Sequence, residues 1–136
     1  MAFEVKFFSY DLIKTDANNE FAQGHFDRAC RKYEEALSVW RYYEATDASW
    51  QEKGIDDDKL REVDFLGTTD EEKDQVKKIK VSTYLNIAAC NIKTKVFKEA
   101  VLACDEALKL DPNNLKALYR RARATALPIN AGVPEL

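Results

Sequence analysis

Five residues of this chain have types and spacing suited to holding an anion. Lys14 and Asn18 lie four apart, Lys116 and Arg120 likewise, and Asn86 stands between the two pairs. A spacing of four puts both members of a pair on one face of a helix, where they can act on one ligand. The set contains three cations and two carboxamides and no carboxylate. Lysine brings charge without fixed direction, arginine a directed fork, and asparagine a donor and an acceptor together. The net charge of the whole chain is -3, so such a site is a local positive feature of a slightly negative protein.

Other chemistry-bearing residues form no comparable set. Cys30, Cys90 and Cys104 lie far apart and lack the close pairing of a zinc or redox motif, and they read as small hydrophobes. His25 follows Gly24, has no second histidine to work with, and reads as a solvated turn residue. Asp56, Asp57 and Asp58 lack the spacing of a calcium loop. No nucleophile, base and orienting group come together, so the expectation is no catalytic residue, no metal and no cofactor. There is no basic tail for nucleic acid, no apolar run long enough to span a membrane and no signal-peptide pattern. The expected location is therefore cytoplasmic, with the nucleus as a further compartment.

The elements that must position the five residues come from a repeat. Shifting the chain by 34 residues places Ala88 on Ala122; shifting it by 71 places Ala17 on Ala88, Phe26 on Phe97, Ala29 on Ala100, Ala36 on Ala107 and Leu37 on Leu108. Alanines at helix crossings let two backbones approach, while Phe26, Tyr33 and Phe97 fill the space beside them. The segment from Val81 to Asn114 resembles a tetratricopeptide repeat, with Tyr84, Ala88, Phe97, Ala100, Ala107 and Pro112 at the large, small, aromatic and proline positions of that family. Lys95 stands where the family usually has glycine. The fold implied is an all-α helical solenoid of about two and a half repeats, with a long loop between the first and second.

In order along the chain, residues 1–9 form a leader, in which Phe3, Val5 and Phe7 alternate with polar residues as in a strand, although Phe7, Phe8 and Leu12 could equally open a helix. Phe3 to Phe8 resembles the closing strand of FK506-binding immunophilin domains, which implies the end of an upstream domain. Repeat 1 covers 10–45. Its first helix is expected from Tyr10 to Gln23 and its second from Asp27 onward, continuing as helix through Trp40, Tyr42, Tyr43 and Glu44. An inserted loop follows over 46–69, with a short helical turn at Lys59 to Leu66. Repeat 2 covers 70–114: Thr69 and Glu72 form a capping box for a long helix ending near Lys93, and a second helix runs from Lys98 to Leu110 before Asp111-Pro112. Repeat 3 covers 115–136, with a helix from Leu115 to Ala126 that Pro128 ends. The chain stops inside this repeat, so Leu118, Ala122 and Leu127 are expected to lie partly bare, a surface for self-association.

The long helices and the insertion resemble the arrangement in immunophilin co-chaperones of the FK506-binding and cyclophilin types. With that resemblance comes a carboxylate clamp. Lys14, Asn18, Asn86, Lys116 and Arg120 match its residues, and Ala17 replaces a glycine usual beside Asn18. The resemblance implies that the chain docks a co-chaperone onto the C-terminal Glu-Glu-Val-Asp tail of heat shock protein 90 or heat shock protein 70. A terminal aspartate presents two neighbouring carboxylates, which explains the need for several cationic donors. Two alternatives stand beside it: the repeats are the targeting part of a larger peptidyl-prolyl isomerase, or a scaffold for another acidic partner.

Overall fold

The computed structural model describes residues 3–45, 60–65 and 67–130. Five helices, α1 (Phe3–Ala22), α2 (Phe26–Ser38), α3 (Asp70–Lys93), α4 (Phe97–Leu110) and α5 (Leu115–Asn130), pack in succession, each on the next, with a further contact between α3 and α5. Between α2 and α3 stand two short strands, β1 (Arg41–Ala45) and β2 (Leu60–Asp64), paired antiparallel with Arg41 opposite Asp64 and Ala45 opposite Leu60.

Alanines make the close crossings. Ala17, Ala29, Ala36, Ala88, Ala100, Ala107 and Ala117 are all fully buried. The central cluster joins α1 to α4 through Ala17, Ala29, Tyr33, Leu37, Ile87, Ala88, Cys90 and Cys104. Burial raises the thiols, Cys90 to about 12, so they stay neutral and pack as hydrophobes. Cys30 is half-buried.

Several boundaries differ from those the sequence predicts. The first helix begins at Phe3, so the residues resembling a closing strand are helical. Phe3 and Phe7 lie one helical turn apart with rings 6.1 Å from each other, and both pack towards Trp40, whereas Val5 is 50% exposed. The spacing of four, and not the alternation of two, decides which side chains are buried.

The second helix ends at Ser38 instead of running on past Trp40. The amides of Val39 and Trp40 turn back to Ala36 and Leu37, three residues away, which tightens and closes the last turn. Trp40 is fully buried against Phe3, Tyr10 and Phe65, with ring centroids 5.7, 5.8 and 6.2 Å away. Its carbonyl accepts from the Phe65 amide, which holds the two ends of the insertion together. The aromatic and β-branched residues around it favour strand once the helix has stopped. The turn expected over Lys59 to Leu66 is accordingly a strand over Leu60–Asp64, and its two end residues, like Asp56, Asp57 and Asp58, lie outside the described residues.

Two lysines are nearly buried beside this aromatic cluster. Lys6 donates to the Val39 carbonyl at 3.0 Å with its ammonium 5.1 Å from the centre of the Phe65 ring. Lys80, on α3, approaches Asp64 of β2 at 3.9 Å with its side chain 11% exposed.

Helix α3 starts as its capping residues require. Thr69 Oγ1 accepts from the Glu72 amide at 3.1 Å. The Glu72 carboxylate reaches back one residue beyond the cap, to the amide and hydroxyl of Thr68 at 3.2 and 3.1 Å. The turns α1–α2 and α3–α4 share one design, in which the amide of His25 bonds the Glu20 carbonyl at 2.9 Å and that of Val96 bonds the Asn91 carbonyl at 2.8 Å. Each design needs a left-handed residue before that amide. Gly24 supplies it at φ 81°, and Lys95 takes it at φ 63°, against a steric penalty of about 1 kcal/mol that glycine avoids. His25 is exposed as expected but is not unaccompanied, since its Nδ1 meets Glu20 at 2.8 Å.

The last helix passes through Pro128 to Asn130 and does not stop before it. Proline removes one backbone donor, and Pro128 is exposed near the C-terminal end of the helix. On this helix Leu118 is 43% exposed, Ala122 is exposed and Leu127 is half-buried, while Ala117 and Ala124 are buried against the rest.

Candidate functional site

Asn86, Lys116 and Arg120 line one cavity of about 490 Å³ between α3 and the start of α5. Its apolar wall is Val81 and Leu85, both buried, and Lys77 lines it one helical turn before Val81 on α3. Arg120 is fixed there by a bond from its Nη1 to the Leu85 carbonyl at 2.6 Å, one residue before Asn86. Lys116 sits in the first turn of α5. That turn is capped by Asn114, whose Oδ1 accepts from the Ala117 amide at 2.9 Å. A capped helix start carries partial positive charge, which adds to that of Lys116.

Lys14 and Asn18 are on α1 and are not part of this cavity's wall. Lys14 is linked to α3 through Tyr10, over whose ring its ammonium lies at 5.9 Å and whose hydroxyl bonds Thr83 Oγ1 at 2.5 Å. Thr83 precedes Asn86 by three residues and so shares its side of α3. The Lys14 ammonium also meets Asp11 at 3.8 Å. Tyr33 donates to Asn18 Oδ1 at 2.5 Å, and burial pushes that phenol up to about 12, so it remains a donor. With the oxygen of the exposed Asn18 held by Tyr33, its amide nitrogen is the end left to donate to an anion.

The five residues contain no carboxylate, but the cavity does. Asp74 is paired with Lys78 at 3.0 Å, and Asp111 accepts from Asn114 Nδ2 at 3.1 Å, so both are tied to neighbours. Sequence spacing missed Lys77 and Asn114. The signals were present: Lys77, Val81 and Leu85 are at successive spacings of four, and Asn114 immediately precedes the last helix. Arg121 meets Asp105 of α4 at 3.1 Å. Among the described residues no group of three His, Cys, Asp or Glu side chains is arranged to hold a metal, and no helix is long and apolar enough to cross a membrane.

No protein-family model matches the chain. FK506-binding protein 59 of Drosophila melanogaster is 50% identical over 66 residues, covering 48% of this chain and 15% of its own length. The peptidyl-prolyl cis-trans isomerase FKBP4 of Mus musculus is 29% identical over 114 residues, covering 84% of this chain and 20% of its own. The chain thus spans a fifth or less of the length of these curated relatives. Among solved structures, the C-terminal TPR-containing domain of an FK506-binding protein from Plasmodium falciparum superposes with a TM-score of 0.66 at 29% identity, over 92% of this chain and 69% of that one. The Hsp90 co-chaperone Cns1 of Saccharomyces cerevisiae superposes with a TM-score of 0.59 at 21% identity, over 89% of this chain and 28% of that one. Helix pairs crossing at recurrent alanines and likeness to these proteins agree: the chain is a tetratricopeptide-repeat domain similar to those of the FK506-binding immunophilins.

Proposed function

We propose that the chain is a docking module that grips the free C-terminal carboxylate tail of a heat shock chaperone, of the 90 or the 70 class, through Lys14, Asn18, Asn86, Lys116 and Arg120. The observation that carries the proposal is the convergence of Asn86, Lys116 and Arg120 on one cavity whose own carboxylates are already tied. From Asp74 to Asn86 that cavity follows twelve residues of α3, a helical rise of ~18 Å. An extended tail of about five residues has that length. Support for the chaperone as partner comes from Cns1, which is named as an Hsp90 co-chaperone.

The names of the relatives favour a second reading, compatible with the first: the module targets a longer peptidyl-prolyl isomerase to that chaperone, with the isomerase chemistry residing elsewhere in the polypeptide. Cytoplasmic location belongs to the same proposal.

The test compares the peptide Met-Glu-Glu-Val-Asp as free acid and as C-terminal amide by titration calorimetry. The amide lacks one charged acceptor, worth ~1.5–3 kcal/mol, and should bind roughly ten- to a hundredfold more weakly. Equal affinity of acid and amide removes the clamp reading and leaves a scaffold for another acidic partner.

A further inference from the structure

A second cavity, of about 380 Å³, opens between α2 and α4 and shares no wall residue with the first. Helix α3 reaches both, presenting Leu85 and Asn86 to one and Ile87 and Asn91 to the other. The floor of the second is apolar, with Leu37, Ile87 and Ala103 all buried. Its rim carries Glu34 from α2 and Glu99 and Glu106 from α4. Glu106 is bonded to Lys109 at 2.8 Å and Arg41 stands in the same wall, and Glu34 and Glu99 are the exposed carboxylates of the rim. The neighbouring Cys30 thiol registers that field: it is pushed up to about 11, first by burial and then by Glu34, with Asp27 and Glu99 adding to it.

A polar group in the wall points independently to a ligand. Asn91 is 8% exposed, and its Oδ1 accepts from the Cys30 thiol at 3.6 Å. The same thiol lies 3.8 Å from Glu34 Oε1. The Nδ2 donor is left in the wall of the cavity with no acceptor among the described residues. An amide donor without a protein acceptor, beside an apolar floor and carboxylates, suits a peptide, which brings a carbonyl, an aliphatic stem and a cation together.

We propose that this cavity binds a lysine or arginine side chain of a partner's peptide segment, its stem on Leu37, Ile87 and Ala103, its cation at Glu34 and Glu99, and a main-chain carbonyl on the Asn91 amide. The site is opposite in sign to the proposed tail site and does not depend on it. One module then holds an acidic tail on one face and a basic segment on another, and can bring two partners side by side.

The probe is the capped peptide acetyl-Ala-Leu-Arg-Leu-Ala-amide, titrated into the isotopically labelled chain and followed by amide chemical shifts. Saturable shifts are expected at Glu34, Asn91, Glu99 and Ala103 and not at Asn86 or Arg120. Replacing the peptide's arginine by glutamine should remove them. Glu34→Gln and Glu99→Gln, both at exposed positions, should each weaken binding roughly two- to fivefold, with the affinity for Met-Glu-Glu-Val-Asp unchanged. Shifts centred elsewhere, equal binding of the glutamine peptide, unaltered affinity in the two variants, or a parallel loss of the acidic peptide would each overturn the proposal. Failure of the acidic peptide to bind the unmodified chain counts against the clamp alone.

Discussion

Replacing Lys116 and Arg120 together by alanine should reduce binding of a free-acid Met-Glu-Glu-Val-Asp peptide to the limit of calorimetric detection. Each removes a charged donor worth ~1.5–3 kcal/mol to a carboxylate. The two residues act on one ligand from one helix face, so their losses need not add. The single variants will differ in another respect. Lys116 is exposed and has no structural partner among the described residues, so Lys116→Ala should leave the melting temperature where it is. Arg120 also bonds the Leu85 carbonyl and so ties α5 to α3, and Arg120→Ala should lower the melting temperature as well as the affinity. Arg120→Lys keeps the charge but loses the directed fork, and should recover only part of each effect. A folded double variant that binds the peptide as well as the unmodified chain would falsify the assignment of these residues.

The largest effect on stability is expected at Trp40. Truncation to alanine should cost about 3–5 kcal/mol, the range for emptying a buried aromatic site. The rings of Phe3, Tyr10 and Phe65 lose their common neighbour, so the loss should extend to the first turns of α1 and to the base of the ribbon. Trp40→Phe should be far milder. The indole Nε1 is buried with no hydrogen-bond partner, and a phenyl ring removes that unmet donor along with part of the ring. Urea unfolding of the three proteins decides the matter. A cost below about 1 kcal/mol for the alanine variant would show that the aromatic cluster is not part of the folded core.

How much of this was legible in the sequence depends on which physical rule each residue obeys. The alanines were legible, because a close helix crossing admits little else, and all those recurring at the 71-residue shift are buried. The capping residue Thr69 was legible for the same kind of reason, being a local interaction between near neighbours in sequence. The ends of α1 and α2 were not. Phe3, Phe7 and Trp40 are placed by one another across more than thirty residues, and neither alternation nor helical spacing within a window reports such a contact. At the candidate site the residue types and the pairs on α1 and α5 could be read directly. What could not be read was that Arg120 is anchored to a backbone carbonyl, that Asn18 is oriented by Tyr33, and that two carboxylates share the cavity but are held by Lys78 and Asn114. The first two are contacts between helices, fixed only once the helices are assembled, whereas Asp74 with Lys78 and Asp111 with Asn114 are local pairs whose sharing of the cavity depends on where α3 and α5 meet.

Lys80 has a consequence for proton uptake. Its burial holds the ammonium below its ordinary value of 10.5, and Asp64 only partly restores it. The unfolded chain, fully hydrated, keeps its proton to higher pH than the folded one. Between the lowered folded value and the ordinary one the unfolded state therefore binds more protons, and the contribution of this residue to stability rises with pH. Below that window the charged form is buried at its full penalty. Lys80→Met removes the titration, so the difference in unfolding midpoint between the two proteins should shrink as the solution becomes alkaline. A difference independent of pH would mean that the ammonium is hydrated in the folded protein, and that folding neither takes up nor releases a proton there.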